Sequence, residues 1–200
     1  MNISNYKVIL ASNSPRRRDL LSQVGIEYEV IPSECQEIIR ATTPEKAVIQ
    51  LALDKAADVA AKVPYNSLVI GADTVVVADG MILGKPADKS TAAGMIDRLQ
   101  GRQHSVYTGV ALIFHGADGD IVKNFACETK VYVYDMTKEQ IEAYIDTGEC
   151  IQTIIEIFTE NAFLHQFDQI LLRSANHPHI DMHLMVFANP TESAIIKETQ

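Results

Sequence analysis

The sequence predicts an α/β fold, and three features point that way. Apolar runs of strand length alternate with amphipathic stretches of helical period as far as Gly148, Ser-Pro and Thr-Pro pairs mark helix starts, and Asp-Gly and Gly-rich turns divide the long apolar segments. The 200 residues are 47% hydrophobic with a mean hydropathy of +0.02, enough for one good core or for two small lobes sharing a cleft.

The first strand is Val8-Ile9-Leu10, and Ala11-Ser12-Asn13-Ser14-Pro15-Arg16-Arg17-Arg18 turns it into a helix with Leu20, Leu21 and Val24 on its apolar side. Ser14 suits the N-cap, where its hydroxyl accepts a backbone N–H, and Pro15 suits the first helical position, where a missing N–H costs nothing. Arg16, Arg17 and Arg18 then stand at the positive end of the helix dipole, an unfavourable place for cations unless an anion joins them. A phosphate-bearing ligand is expected there; the plainer alternative is a solvated basic face.

Tyr28-Glu29-Val30-Ile31 reads as a second strand, and Pro32-Ser33-Glu34 leaves it carrying a carboxylate. Thr43-Pro44-Glu45 opens a helix whose apolar side is Ala47, Val48, Leu51, Ala52, Ala56 and Val59. Leu68-Val69-Ile70 is a buried strand that Gly71-Ala72-Asp73-Thr74 ends, after which Val75-Val76-Val77 runs to the turn Asp79-Gly80 and the hairpin-like Ile82-Leu83-Gly84-Lys85-Pro86. Thr91 to Leu99 is helical with Gly101 just past its end, and Ser105–Phe114 and Phe125–Tyr134 are strands joined by Gly116-Ala117-Asp118-Gly119. Thr137-Lys138-Glu139-Gln140 is a capping box opening the helix Ile141–Asp146, which Gly148 closes.

A net charge of −9 and a pI near 5.1 argue against nucleic-acid polymers and anionic membranes, but a single nucleotide needs only a local basic pocket. Met1 to Lys7 lack the charged and apolar regions of a secretory leader and no apolar run reaches membrane-spanning length, so a cytoplasmic protein is expected. Cys35, Cys127 and Cys150 are odd in number and widely spaced, which favours reduced thiols over a disulfide framework.

Asp73, between two apolar runs, is a candidate general base or metal ligand placed by rigid elements. Glu34 adds a second carboxylate, Lys55 projects from a helix, and Lys85 is pinned beside Pro86. Acids and cations together suit Mg²⁺ or Mn²⁺ with a triphosphate, because carboxylates hold the hard cation while Lys and Arg neutralise phosphate oxygens. Each has a plainer alternative, from a turn aspartate bonding its own backbone to solvated helix and turn residues.

Taken in order, Ala-Ser-x-Ser-Pro-Arg-Arg, Leu-Ala-x-x-Lys-Ala at Leu51–Ala56, Gly-Ala-Asp-Thr-Val-Val, Gly-Lys-Pro and Gly-Arg-x-His-x-Val-x-Thr-Gly-Val resemble the Maf family, nucleoside triphosphate pyrophosphatases also described as septum-formation inhibitors. The resemblance runs from Val8 to Glu149. It implies a Maf/inosine-triphosphate-pyrophosphatase-like mixed sheet flanked by helices, with a cleft between two lobes. It also implies hydrolysis of dTTP or UTP, with modified or non-standard nucleotides as a wider class, to monophosphate and pyrophosphate with a divalent cation. Asp73 matches the family's proton acceptor, Arg16 and Thr74 match positions linked to substrate choice, and Ser12, Arg17, Glu34, Lys55 and Lys85 match other pocket positions. Asp73 and Glu34 are the expected metal ligands. The partner is a nucleoside triphosphate, with no nucleic-acid polymer and no membrane, and a homodimer is among the assemblies allowed.

The likeness divides the chain into a nucleotide pyrophosphatase domain over 1–149 and an atypical C-terminal segment over 150–200. That segment holds none of the 10 glycines, only Arg173 and Lys197 of the 17 basic residues, and His165, His177, His179 and His183 of the six histidines. The family's Gly-rich loop and final strand have no counterpart in it, so a sheet one element short is expected. Ile154 to Leu172 has the pattern of a helix with apolar faces, and His177-Pro178-His179 with His183 reads as a loop rather than a metal site, because Pro178 disrupts the helix that would align them. A second reading follows, a catalytically impaired nucleotide-binding or division-regulating protein; a third, weaker one is a destabilised fragment.

Overall fold

A computed structural model describes residues 5–146 and 196–198 of the chain. The elements run β1 (Lys7–Leu10), α1 (Pro15–Gln23), β2 (Glu29–Val30), α2 (Pro44–Ala60), β3 (Ser67–Ala78), β4 (Met81–Leu83), α3 (Lys89–Leu99), β5 (Arg102–His115), β6 (Ile121–Val133), α4 (Lys138–Asp146) and β7 (Ile196–Glu198). They form one mixed sheet of order β2-β1-β3-β5-β6-β7, with β4 paired to β3 off that path. β1 is parallel to β2 and β3, and the other strand pairings among the described residues are antiparallel. The α/β expectation therefore holds. The domain boundary at residue 149, the apolar helix over 154–172 and the histidines of the tail lie outside the described residues. The expectation of a missing strand meets β7, which pairs with Val131–Val133 at the end of the sheet.

The strand expected to stop at Gly71–Thr74 does not stop. β3 is continuous over 12 residues, and β5 pairs with it from Ser67↔His115 to Val77↔Ser105. The glycine that reads as a breaker serves packing instead, since a Cβ on Gly71 would lie 2.2 Å from the Ala52 carbonyl oxygen of α2. Gly109 on β5 meets α2 in the same way, at 2.4 Å from the Val48 carbonyl group. Side chains alternate across a strand, so Val69, Gly71, Asp73 and Val75 face α2 while Leu68, Ile70, Ala72 and Thr74 face the opposite layer.

That opposite layer has two parts. Leu20 and Leu21 of α1 pack on Val8, Leu10, Leu68, Ile70, Ala72, Val110 and Leu112. Leu99 of α3 packs on Val76, Ala78, Val106, Val131 and Val133, and α4 packs on α3 through Ala92, Ile96, Ile141 and Ile145. The turn between β3 and β4 has φ of 51° at Asp79 and 72° at Gly80, the left-handed pair that a two-residue hairpin requires. The reciprocal capping box of α4 is formed, with the Thr137 N–H donating to Gln140 Oε1 at 2.8 Å and the Gln140 N–H to Thr137 Oγ1 at 3.3 Å.

β3 has β5 along one edge but two separate neighbours along the other. β1 pairs with Ser67–Ile70 and β4 with Val76–Ala78. Between them, at 71–75, this edge of β3 carries no strand among the described residues. The sheet thus has a notch, and Asp73 sits at its centre.

Candidate active site at the notch in the sheet

β1 ends at Leu10, so the main chain turns away while β3 continues and leaves the Ala72 carbonyl facing the notch. Arg17 fills that vacancy from the first turn of α1, donating from Nη1 to the Ala72 carbonyl oxygen at 2.9 Å and to Ser12 Oγ at 3.0 Å. Ser12 Oγ also accepts the Ser14 N–H at 3.2 Å. Ser14 occupies the N-cap in an extended conformation, but its hydroxyl makes no capping bond, so the expected cap is corrected here. Ser12 orders the turn because its buried hydroxyl reaches both the turn and Arg17. Arg16 lies on the same turn, partly buried, and Arg18 is exposed beyond it.

On the α2 face of the sheet, the Asp73 carboxylate accepts a hydrogen bond at Oδ1 from Lys55 Nζ. Both side chains are largely buried, at 10% and 14% exposure. The close seating of α2 on Gly71 makes this pair possible, because Lys55 lies between Ala52 and Ala56, the residues that abut that glycine. Lys55 Nζ is also 2.7 Å from Glu37 Oε1, and Glu37 Oε2 is 3.8 Å from Lys85 Nζ. The Lys55 hydrogen bond, with attraction from Lys55, Lys85 and Arg17, outweighs partial burial and holds the Glu37 carboxyl below the usual glutamate range.

Glu37 stands on an irregular segment laid along α2. Asp58 Oδ2 accepts from Ser33 Oγ and from the Glu34 N–H, both at 2.8 Å. Gln50 accepts the Arg40 N–H at 2.9 Å and donates to the Ile38 carbonyl at 2.8 Å. These anchors on either side bring Glu37 onto Lys55. Asp58 is drawn down to about 2, chiefly by Lys62 and further by the Glu34 N–H and the Ser33 hydroxyl.

The structure therefore brings Asp73, Lys55 and Lys85 together through Glu37, and sets Arg17 on Ser12 at the adjoining end of the notch. Glu34, expected beside Asp73 as the second metal ligand, is placed differently: its carboxylate is 87% exposed and lies 3.6 Å from Lys62 Nζ, while Glu37 is the carboxylate that shares Lys55 with Asp73. Thr74 faces the opposite layer, buried, with its hydroxyl 3.2 Å from that of Thr108. Sequence reasoning passed over Glu37 and Thr108. Glu37 sits in a stretch without periodicity, so its only signal was proximity to Glu34; Thr108 stood in view as the threonine of Thr-Gly-Val, and the register of two long strands was the missing information.

Glu37 and Asp73 already share one cation, the Lys55 ammonium, which is direct evidence that this pair concentrates negative charge on a point. Two carboxylates with phosphate oxygens make up the donor set that Mg²⁺ favours. Among the described residues no three His, Cys, Asp or Glu side chains converge on one point, so a dedicated all-protein cage is not present there. None of the described helices is long and apolar enough to cross a membrane.

A family profile described as Maf-like protein matches residues 7–154. A dTTP/UTP pyrophosphatase of a Thermoanaerobacter species is 46% identical over 143 residues, covering 72% of this chain and 74% of that protein. One from Symbiobacterium thermophilum is 46% identical over 144 residues, covering 72% of each. One from Caldanaerobacter subterraneus subsp. tengcongensis is 42% identical over 149 residues, covering 72% of this chain and 69% of that protein.

Proposed function

The chain belongs to the Maf-like protein family, and from that premise we propose that it is a nucleoside triphosphate pyrophosphatase acting on dTTP and UTP. The observation that carries this reading is the buried Lys55–Asp73 pair at the open edge of β3, joined through Glu37 to Lys85. Cations for a triphosphate and a carboxylate for a water molecule meet at that one point, where none of the described strands stands in the way.

Asp73 is the general base of this proposal. Lys55 holds Oδ1, which leaves Oδ2 to take the proton of a water that attacks the α-phosphorus. Pyrophosphate departs as the α–β anhydride bond breaks, and Lys55, Lys85 and the arginines of α1 offset the charge that develops on it. A divalent cation held by Asp73 and Glu37 would supply Lewis-acid polarisation of the phosphate. Arg16 and Thr74 are assigned to recognition of the nucleoside, Ser12 and Arg17 to shaping the phosphate end, and Glu34, beside Lys62, to the rim. The cytoplasm is the proposed compartment, and a homodimer is compatible with the reading.

A second reading, nucleotide binding without turnover, is favoured by the segment after Glu149, which lacks the family's Gly-rich loop. Pyrophosphate release from dTTP, UTP, CTP and 7-methyl-GTP with Mg²⁺ or Mn²⁺ separates the two. The wild type is expected to release pyrophosphate from dTTP and UTP, and the near-isosteric Asp73→Asn variant to lose roughly 10²- to 10⁴-fold in rate while remaining folded. Equal rates would remove Asp73 as the base; binding without release would establish the second reading.

A further inference from the structure

Glu37 reaches the notch from a part of the chain without regular structure. Residues 31–43, between β2 and α2, form neither helix nor strand, and a connection of that length is uncommon unless it carries function. One stripe of α2 meets its polar groups instead. Gln50, Asp54 and Asp58 recur at four-residue spacing and so stack along the same face of the helix.

The two ends of the segment are held unequally. Before Glu37, Asp58 takes the Ser33 hydroxyl and the Glu34 N–H, and Ile31 packs against the apolar cluster under α2. After it, Ile38 and Ile39 are 52% and 43% exposed, so apolar burial contributes little there. Gln50 grips the main chain on that side: Nε2 donates to the Ile38 carbonyl at 2.8 Å, and Oε1 accepts the Arg40 N–H at 2.9 Å. The same Nε2 donates to Asp54 Oδ2 at 3.0 Å, which also accepts Arg40 Nη2 at 2.6 Å. A carbonyl and a carboxylate only accept and a backbone N–H only donates, so these partners fix which way the Gln50 amide faces. Glu37 itself is the apex of a three-residue turn, closed by the Ile38 N–H donating to the Gln36 carbonyl at 3.1 Å. The residue that closes this turn is therefore the one whose carbonyl Gln50 holds. From the apex, Glu37 Oε1 meets Lys55 at 2.7 Å and Oε2 meets Lys85 at 3.8 Å, so a released turn withdraws both contacts together.

We propose that Gln50 is a positioning residue for the reaction: its amide locks the turn that carries Glu37, and through Glu37 it keeps Lys55 on Asp73 Oδ1 so that Oδ2 stays open. This role rests on the notch being the hydrolytic site of the proposed function. Gln50 acts through Glu37 rather than on the substrate, and by polarity rather than bulk. Gln50→Glu keeps the length and shape of the side chain and still accepts from Arg40, but it sets an oxygen against the Ile38 carbonyl and Asp54. This near-isosteric exchange therefore opens the turn as Gln50→Met does.

The test uses the full chain and two readouts. One is the rate at which acetic anhydride acetylates Lys55 in the absence of nucleotide, followed by mass spectrometry against the exposed Lys46 of the same helix; the other is kcat for pyrophosphate release from UTP. Gln50→Met and Gln50→Glu are each expected to speed Lys55 acetylation and to lower kcat, by roughly fivefold to tenfold. In a Glu37→Ala background there is no carboxylate left to position, so adding Gln50→Met should change neither readout further. A role in folding alone would act equally in both backgrounds, and that result overturns the proposal. So does unchanged Lys55 acetylation in both Gln50 variants, a Gln50→Glu protein that behaves like the wild type, or exposure of Lys55 with kcat intact. A wild type that protects Lys55 but releases no pyrophosphate refutes the hydrolytic reading and, with it, any role of Gln50 in turnover. Release that persists while Lys55 acetylates as fast as Lys46 in the wild type refutes the positioning role and leaves hydrolysis standing.

Discussion

Adding one methyl group at Gly71 tests how the candidate site is assembled. The new Cβ would stand 2.2 Å from the Ala52 carbonyl oxygen and 2.9 Å from both the backbone nitrogen and the Cβ of Ala56. Ordinary contact begins near 3.4 Å, and the obstructing atoms belong to the helix itself, so no side chain can swing aside. α2 must retreat by roughly 1 Å, at an overpacking cost of about 1–3 kcal/mol, or roughly 2–10 °C in melting temperature for a chain of this length. The retreat takes Lys55 with it, and a displacement of about 1 Å in a positioning group costs on the order of 100-fold in rate. Gly71→Ala should therefore lose both stability and pyrophosphate release. Gly94→Ala is the control: nothing lies within 4 Å of its new Cβ, and alanine in the helix α3 should stabilise by up to about 1 kcal/mol without touching activity. Circular-dichroism melts and pyrophosphate release, measured side by side, decide the matter. A Gly71→Ala protein with wild-type melting, or one that melts early yet keeps full kcat/KM, would refute the account of α2 as the element that seats Lys55.

Two further expectations concern charge. Lys55→Met removes the shared cation and leaves the largely buried Asp73 facing Glu37 uncompensated, so urea unfolding should show a loss of roughly 2–4 kcal/mol, largely restored by adding Glu37→Gln; a stable single variant would contradict it. His104 is buried, and burial, reinforced by the Arg102 charge, pushes its pKa down to about 4 from an ordinary 6.5. The unfolded chain binds the proton more readily, so this contribution is complete above about pH 6.5 and is lost as pH falls toward 4, by up to about 3 kcal/mol. Urea midpoints of the wild type should fall more steeply than those of His104→Leu between pH 7 and pH 4.5, and parallel curves would exclude the effect.

Much of this architecture is legible in the sequence where local chemistry and tertiary structure agree. Pro15, Pro44, the Asp79-Gly80 turn and the Thr137–Gln140 box each impose a backbone geometry by themselves, and each element starts or turns where they stand. Gly71 misleads because its reason lies in another element: the sequence shows a residue that weakens strands, while the fold needs the space for α2. The Ser14 hydroxyl fails as a cap for a related reason, since Ser12, two residues earlier, already bonds the turn and Arg17. Lys55, Asp73 and Lys85 are found from motif order alone. Glu37 is not, because its place depends on Asp58 and Gln50 holding an aperiodic segment from both sides.

The open edge of β3 has a consequence for the protein's behaviour in a crowded solution. Unpaired strand edges recruit other strands, and proteins ordinarily blunt them with charge, proline or short length. Here the stretch at 71–75, which no described strand covers on this edge, is bounded at one end by β1 and at the other by β4, and Arg17 already occupies the Ala72 carbonyl. An intruding polypeptide would find room for only a rung or two before colliding with a neighbour on either side. The fold withholds this edge from aggregation.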